Sequence, residues 1–134
     1  MSVIENNNEI TSLQIAKEAV RVMVEKQGID IKLYDVKDKT SVTEFYLNVT
    51  GRSTSHVASL SDDLCEALSK IGLTAKRIEG RGPNNWLLID YYDLVVNIFD
   101  KQTRDFYSLD RLIGEECAVD IEDIVKEIDE KYTV

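Results

Sequence analysis

Apolar residues recur every three or four positions in two parts of the chain, and this spacing predicts two amphipathic helices. The first runs to about Gln27, begins with a capping box formed by Thr11 and Gln14, and ends at Gly28. The second covers about residues 55–71, after a turn at residues 51–53. Both have one apolar stripe, so each is expected to pack one side against a core.

Five other segments have the shorter apolar runs or the alternation that is typical of strands. They lie at about residues 31–34, 44–50, 73–79, 86–89 and 94–99. The last two are separated only by Asp90-Tyr91-Tyr92-Asp93, which predicts a hairpin with a tight connection.

The C-terminal part predicts more helix. A polar bridge at residues 100–104 leads to the aromatic pair Phe106-Tyr107, and Ser108 is a candidate cap for a short helix at Leu109–Ile113. Asp120 is a candidate cap for a final acidic helix. The whole pattern predicts an α/β fold with a mixed β-sheet of about five strands flanked by helices.

Length and cysteine content limit the class of protein. A chain of 134 residues suits one domain with one core. Cys65 and Cys117 have no CxxC spacing, which argues against a zinc site and against a disulfide framework, and favours a reducing, cytoplasmic location. No apolar run is long enough for a membrane span, and residues 1–10 have no leader-like pattern.

The acidic charge is concentrated at the two ends. The net charge is −9, of which residues 115–134 carry −6 and residues 1–10 carry −2. The middle of the chain is therefore nearly neutral. Because binding to phosphates requires a basic field, little direct contact with nucleic acid is expected, whereas protein partners stay open.

Few residues suggest chemistry. Asp90 and Asp93 fit a metal or acid–base pair, but they equally fit an ordinary turn between strands. His56 is the single histidine and favours a structural or surface role. The stretch Gly80-Arg81-Gly82-Pro83 is a weak match to a phosphate loop because it opens a strand. The sequence thus predicts no enzyme, no cofactor and no metal.

The hairpin is the strongest candidate site. Trp86 and Tyr91 flank an acidic turn, and large aromatic residues of this kind often anchor protein interfaces. A single tryptophan is as often part of a core, so both interpretations of Trp86 stay open at this point. The hairpin indicates a contact surface more than a reaction centre.

An ordered set of motifs resembles the ribosomal silencing factor family, also known as RsfS or Iojap-like. The resemblance covers about residues 11–114 and is carried by Thr50-Gly51-Arg52-Ser53, His56-Val57, Glu79-Gly80-Arg81, Trp86-Leu87-Leu88-Ile89-Asp90-Tyr91, Asp93, Val95-Val96, and Arg104 with Phe106-Tyr107-Ser108-Leu109.

The resemblance implies a fold, an activity and a partner. It implies a nucleotidyltransferase-like topology without catalytic residues, in a translational repressor that binds the large ribosomal subunit through its fourteenth protein and blocks joining with the small subunit. The alternatives are a large-subunit assembly factor and, less favoured, a small nucleotidyltransferase-like enzyme. Whether the protein forms a homodimer is left open. The expected partner-binding residues are Trp86, Leu88, Asp90, Tyr91, Asp93, Val95 and Asn97.

The resemblance also suggests boundaries. Residues 1–10 are expected to be disordered, residues 11–114 to form the domain, and residues 115–134 to be an acidic helical extension outside the family pattern and dispensable for the fold. The chain departs from the family at Tyr92, where glycine is usual, at Asn97, where histidine is usual, and at Ser108, where an acidic residue is usual.

Overall fold

One mixed β-sheet forms the centre of the computed structural model, which describes residues 10–81 and 85–132. In that part of the chain the sheet has six strands in the order β3-β4-β5-β2-β1-β6. β2 and β5 are parallel, and all other neighbours are antiparallel. The strands are β1 (Ile29–Asp35), β2 (Phe45–Gly51), β3 (Arg77–Arg81), β4 (Trp86–Asp90), β5 (Leu94–Asp100) and β6 (Ala118–Val119).

Helices cover both sides of this sheet, which confirms the predicted fold class. They are α1 (Ser12–Glu25), α2 (Thr54–Ser69), α3 (Lys101–Tyr107), α4 (Leu109–Ile113) and α5 (Glu122–Tyr132). Among the described residues, no helix has both the length and the apolar character needed to cross a bilayer. The predictions for residues 1–9 and for Gly82 and Pro83 lie outside the described residues.

The capping box predicted for the first helix is confirmed. The predicted end of that helix, at Gly28, is wrong. The Gln14 backbone N–H donates to Thr11 Oγ1 at 3.1 Å, and the Thr11 N–H donates to Gln14 Oε1 at 2.8 Å. At the other end Gln27 takes the left-handed conformation, with φ of 66°, and Gly28 does not. Gly28 has a different reason to be glycine, because a Cβ atom there would lie 2.6 Å from Val49 Cγ1.

The apolar side chains of the strands define a first face of the sheet. On β2 these are Phe45, Leu47 and Val49, and the parallel register places Leu94, Val96 and Ile98 of β5 beside them. α1, α2 and α5 cover this face, and together they form the main hydrophobic core. We call it the apolar face.

The alternate side chains point to the opposite side, which we call the polar face. It carries Asn48 and Thr50 of β2 and Asn97 of β5, all of them buried. α3 and α4 pack on this side, and Ile113 of α4 forms a small cluster with Tyr34 and Val36. Helices therefore enclose the sheet in two layers. The layer of α1, α2 and α5 packs on the apolar side chains, whereas the layer of α3 and α4 packs on the side that carries the buried polar side chains.

The C-terminal segment packs on the rest of the chain and adds a strand to its sheet, whereas the sequence predicted an acidic helical extension outside the domain. β6 pairs with β1 through Leu33–Val119 and Tyr34–Ala118 and gives the sheet a sixth strand. Ile124 and Ile128 of α5 are 6% and 5% exposed and belong to the main core. The apolar residues of α5 therefore pack on the domain itself.

Two further element predictions need correction. Residues 101–107 form α3 where a polar bridge was expected, because the Asp100 carboxylate accepts the Thr103 N–H at 2.8 Å and so starts a helix. β3 lies at Arg77–Arg81, four residues later than predicted at its start, because antiparallel pairing with β4 sets its position. Glycine at position 80 does not end the strand.

Candidate partner-binding site

The β4–β5 hairpin brings most of the predicted contact residues to one side of the sheet. Its antiparallel register pairs Trp86 with Phe99, Leu88 with Asn97, and Asp90 with Val95. Since side chains alternate along a strand, all six lie on the polar face, opposite α1 and α2. The predicted hairpin is confirmed.

These residues differ in how much of each reaches solvent. Val95 and Asn97 are 6% and 1% exposed, and Asp90 is also buried. Trp86 and Leu88 are half-buried. The accessible part of the hairpin on the polar face is therefore Trp86 with Leu88, while Val95 and Asn97 support them from beneath.

α3 extends this accessible surface with two aromatic side chains that were noticed in the sequence but not assigned to the site. The Tyr107 ring lies 4.9 Å from the Trp86 ring, and the Phe106 ring meets Tyr107 edge-on at 5.0 Å. Phe106 is 78% exposed. We call the surface formed by Trp86, Leu88, Phe106 and Tyr107 the aromatic face. The Asp100 cap is the sequence signal that predicts α3 and hence this surface.

A chain of hydrogen bonds runs from Trp86 into the protein. The indole N–H donates to Asn97 Oδ1 at 3.0 Å, and Asn97 Nδ2 donates to Asn48 Oδ1 at 3.1 Å. Asn48 Nδ2 then donates to Asp110 Oδ1 at 3.0 Å. The Tyr34 hydroxyl donates to the same oxygen at 2.8 Å. β4, β5, β2 and α4 are thus connected through polar side chains.

Arg104 of α3 closes this chain at its inner end. Its Nε and Nη2 donate to the two oxygens of Asp110 at 2.8 and 3.0 Å. Its Nη1 donates to the Asp30 carbonyl at 2.7 Å and to Thr50 Oγ1 at 2.9 Å. Because one guanidinium bonds α4, β1 and β2 together, it fixes α3 on the sheet.

The charge of Asp110 is stabilised by these contacts. Burial alone would raise the pKa of Asp110. Other contacts outweigh this effect and lower the pKa to about 2: the hydrogen bonds from Arg104 and Asn48, the positive charge of Arg104, and the hydrogen bond from the Tyr34 hydroxyl. Burial, followed by the hydrogen bond to Asp110, raises the pKa of Tyr34 above its ordinary range. Asp110 is therefore an anion that accepts hydrogen bonds at neutral pH.

Tyr91, which the sequence predicted as a contact residue, does not lie on this surface. Its side chain is 7% exposed and packs in the main core, on the apolar face. Burial raises the pKa of Tyr91, with the neighbouring Cys65 thiol adding to the shift. Tyr91 continues the alternation of Leu87 and Ile89, so its side chain points to the helices and not towards Trp86.

The Asp90 carboxylate and the Asp93 backbone carbonyl both have structural partners. Asp90 accepts the Tyr92 N–H at 2.8 Å and faces Arg77 Nε at 3.5 Å. Asp93 is exposed, and its carbonyl accepts the backbone N–H groups of Glu44 and Phe45. Within residues 10–81 and 85–132, no group of three histidine, cysteine or carboxylate side chains has metal-binding geometry. The contacts match the ordinary-turn interpretation of this pair.

His56 joins α1 and α2, two of the three helices that cover the apolar face. Its Nδ1 accepts the Arg52 N–H at 2.9 Å, and its Nε2 lies 3.2 Å from the Lys26 carbonyl at the end of α1. The structure thus gives it the structural role that the sequence favoured. Cys65 and Cys117 are both free thiols of intermediate burial.

Fold and site together define a small mixed α/β protein with an exposed aromatic surface that is supported by buried polar groups. Comparison with known proteins places it further. The family described as "Ribosomal silencing factor during starvation" matches residues 9–133. The chain therefore belongs to this family, and the match includes the C-terminal segment.

Individual relatives agree with that placement. The ribosomal silencing factor RsfS of Halalkalibacterium halodurans is 27% identical over 87% of this chain and 99% of its own length. A crystal structure of a Chromobacterium violaceum protein superposes with a TM-score of 0.75 at 28% identity, covering 78% of this chain and 88% of that one. A mouse protein named "Mitochondrial assembly of ribosomal large subunit protein 1" is 23% identical over 69% of this chain and 42% of its own length.

Proposed function

We propose that this protein represses translation by binding the large ribosomal subunit through its fourteenth protein and blocking joining with the small subunit. The aromatic face is the proposed contact surface. The observation that carries the proposal is this exposed surface in a chain whose family is named for ribosomal silencing. Residues Trp86, Leu88, Phe106 and Tyr107 are proposed to touch the partner, whereas Val95 and Asn97 support them.

The composition of the aromatic face suits a protein partner. Tryptophan, tyrosine and phenylalanine are enriched at the centres of protein interfaces, and charged groups at their rims. Arg77 and Glu79 of β3 form an ion pair at 3.6 Å beside this surface, and Lys101 and Asp105 form another on α3 at 2.7 Å. Burying the exposed Phe106 ring in a complex would contribute favourable free energy without any reorganisation of the fold.

Charge favours a basic protein surface over ribosomal RNA. The net charge of −9 repels phosphate groups and attracts cationic side chains. Docking on a ribosomal protein satisfies both conditions.

The proposed block is steric and needs no chemistry. A compact chain of this length has a radius of gyration of about 14 Å. A docked copy would therefore project a few nanometres from the large subunit. An object of this size at the subunit interface prevents contact with an arriving small subunit.

The test combines co-sedimentation with density gradients. Wild-type protein is expected to sediment with isolated large subunits and to lower the fraction of joined ribosomes. Phe106→Ala is expected to weaken binding at least tenfold, about 1.4 kcal/mol, with little change in melting temperature because the side chain is so exposed. Trp86→Ala should weaken binding by at least as much and also lower stability, since Trp86 is half-buried.

Ile78→Ala is the matched control. Ile78 is 52% exposed on the neighbouring strand, but it pairs with Ile89 and so lies on the apolar side of the sheet. This variant should bind normally. Equal binding of wild-type protein to both subunits, or joined ribosomes that are unaffected at saturating protein, would refute the proposal.

A role in assembly of the large subunit is the second candidate, and the name of the mouse relative is the observation that favours it. It would use the same aromatic face. The two functions separate when cells are depleted of the protein during growth. Assembly predicts accumulation of incomplete large subunits, whereas silencing predicts normal subunits and excess joined ribosomes under starvation.

A further inference from the structure

The hydrogen-bond chain beneath the aromatic face has a direction. A carboxylate only accepts hydrogen bonds and an indole N–H only donates, whereas an amide side chain accepts at one end and donates at the other. The chain begins at the Trp86 N–H and ends at the Asp110 carboxylate, with the amides of Asn97 and Asn48 between them. Only one orientation of the two amides satisfies both ends.

This orientation is maintained from the inner end. Asn48 is fully buried, and its Nδ2 must face Asp110 because that group offers only acceptors. The Asn48 oxygen then faces the Asn97 amide nitrogen, which turns the Asn97 oxygen towards the indole. Tyr34 and Arg104 hold Asp110 in place with three further hydrogen bonds. The state of Asn48 therefore determines which atom Asn97 offers to Trp86.

We propose that Asn48 and Asp110, acting through Asn97, are positioning residues that fix the Trp86 indole in the aromatic face for partner binding. The inference rests on the function proposed for that face. Asn48 cannot touch a partner, because its exposed fraction is 0%. Its effect on binding must pass through the chain, and this separates positioning from contact.

The position of the indole has consequences for the whole aromatic face. Trp86 lies against Phe99 at 5.5 Å and against Tyr107 at 4.9 Å. A rotated indole would lose the contact with Tyr107 and leave α3 without its neighbour on β4. A mobile indole ring would lose conformational entropy on binding a partner, whereas a ring that is already fixed does not incur this cost.

The experiment uses the single tryptophan as its own reporter, because the chain has one indole N–H resonance and one source of tryptophan emission. Asn48→Ala is expected to shift and broaden that resonance and to move the emission maximum, although it leaves Trp86 and Asn97 unchanged. Binding to isolated large subunits should fall about three- to tenfold, measured at a temperature where the variant is fully folded. Asn97→Ala should show both effects at least as strongly.

Two further variants separate positioning from a general loss of stability. Asn97→His supplies one ring nitrogen that accepts and another that donates, so it should restore the emission and bring binding within about twofold of wild type. Val49→Ala is the matched control, since Val49 follows Asn48 on β2, is equally buried and faces the opposite side. It should lower the melting temperature and leave the tryptophan signals and the binding unchanged.

Each outcome has one meaning. Normal binding by Asn48→Ala, or an equal loss of binding by Val49→Ala, would overturn the positioning role. Unchanged tryptophan signals in Asn48→Ala would overturn it as well. If wild-type protein does not bind large subunits at all, the proposed function fails. The tryptophan signals alone then decide whether the chain fixes Trp86.

Discussion

The two faces of the sheet are stabilised in different ways. The apolar face packs α1, α2 and α5 against aliphatic and aromatic side chains, with residues such as Leu47, Val96 and Ile98 fully buried. The polar face buries two amides, a threonine and an arginine and satisfies them through hydrogen bonds. Apolar packing tolerates substitutions that keep the side-chain volume similar, whereas the hydrogen bonds of the polar face require one arrangement of donors and acceptors.

The difference teaches how stability and binding geometry are divided in this protein. The apolar face supplies most of the free energy of folding, since it removes the most apolar surface from water. The polar face adds less to stability, but it fixes the directions of Trp86 and of α3. The aromatic face lies beside the hydrogen-bond chain and not over the apolar core. The proposed contact surface is therefore on the side of the sheet where hydrogen bonds fix the orientation of the side chains.

The largest expected effect comes from removing a part of the apolar face. Truncation after Gly114 deletes β6 and α5 and with them Ile124 and Ile128 from the core. Losing each isoleucine costs about 2–5 kcal/mol, against a total stability of about 5–15 kcal/mol for a typical domain. We expect the truncated chain to lose cooperative thermal unfolding, measured by circular dichroism. Deletion of residues 133 and 134 alone is the control, and a cooperative melt for the truncated chain would contradict the comparison.

Substitutions of Tyr91 test whether polar groups contribute to the stability of the apolar face. Tyr91→Ala should lower the free energy of unfolding by about 3–4 kcal/mol, because a large buried ring is removed. Tyr91→Phe should be neutral or stabilising by up to about 1 kcal/mol, since the hydroxyl has no hydrogen-bond partner within the described residues. Denaturant titration measures both. A Tyr91→Ala variant with normal stability and lost binding would return Tyr91 to the contact surface.

Asp110 gives the polar face a pH dependence. Its pKa is lowered to about 2 in the folded protein, so it stabilises the fold above the unfolded-state pKa of about 4, and this contribution disappears as the pH falls towards 2. Asp110→Asn should therefore cost about 1–2 kcal/mol at pH 6, allowing for partial exposure, and the stabilities of the two proteins should converge as the pH falls towards 2. Asp105→Asn on α3 controls for net charge. A constant difference between pH 6 and pH 2 would show that Asp110 does not act through its charge.

The smallest expected effect is at the turn that joins the two faces. Tyr92 has a φ of 74°, a left-handed conformation that favours glycine. Tyr92→Gly should be about 1 kcal/mol more stable than Tyr92→Ala in denaturant titrations. The alanine variant is the matched control because it removes the ring and its contact with Lys76 and keeps the backbone strain. Equal stability of the two variants would mean that the turn is unstrained.

The sequence predicts the apolar face well and the polar face poorly. Hydrophobic periodicity is enough to find α1, α2 and the strands, because burial against one core produces a regular spacing. It misses α3, because five of its seven residues are polar and because Arg104, instead of an apolar stripe, holds it on the sheet. It also misses β6, since a two-residue strand has no period.

The candidate site was predicted in part for the same reason. Trp86 and Leu88 were found because they stand in an apolar run, but Asn48, Arg104 and Asp110 are polar residues far apart in the chain. Only the parallel pairing of β2 with β5 brings Asn48 beside Asn97. Asn97 was predicted as a site residue through the family resemblance, and its burial places it beneath the aromatic face.

The strand order has a consequence for the speed of folding. β1 and β2 form one antiparallel unit, and β3, β4 and β5 form another, each made from neighbours in sequence. Among the described strands, the two units pair with each other along β2 and β5, where Phe45 pairs with Leu94. Pairing across such a sequence separation requires closure of a long loop, so we expect it to form late and to set the refolding rate. Until that step is complete, Asn48 and Asn97 are on separate units and the chain that orients Trp86 does not exist.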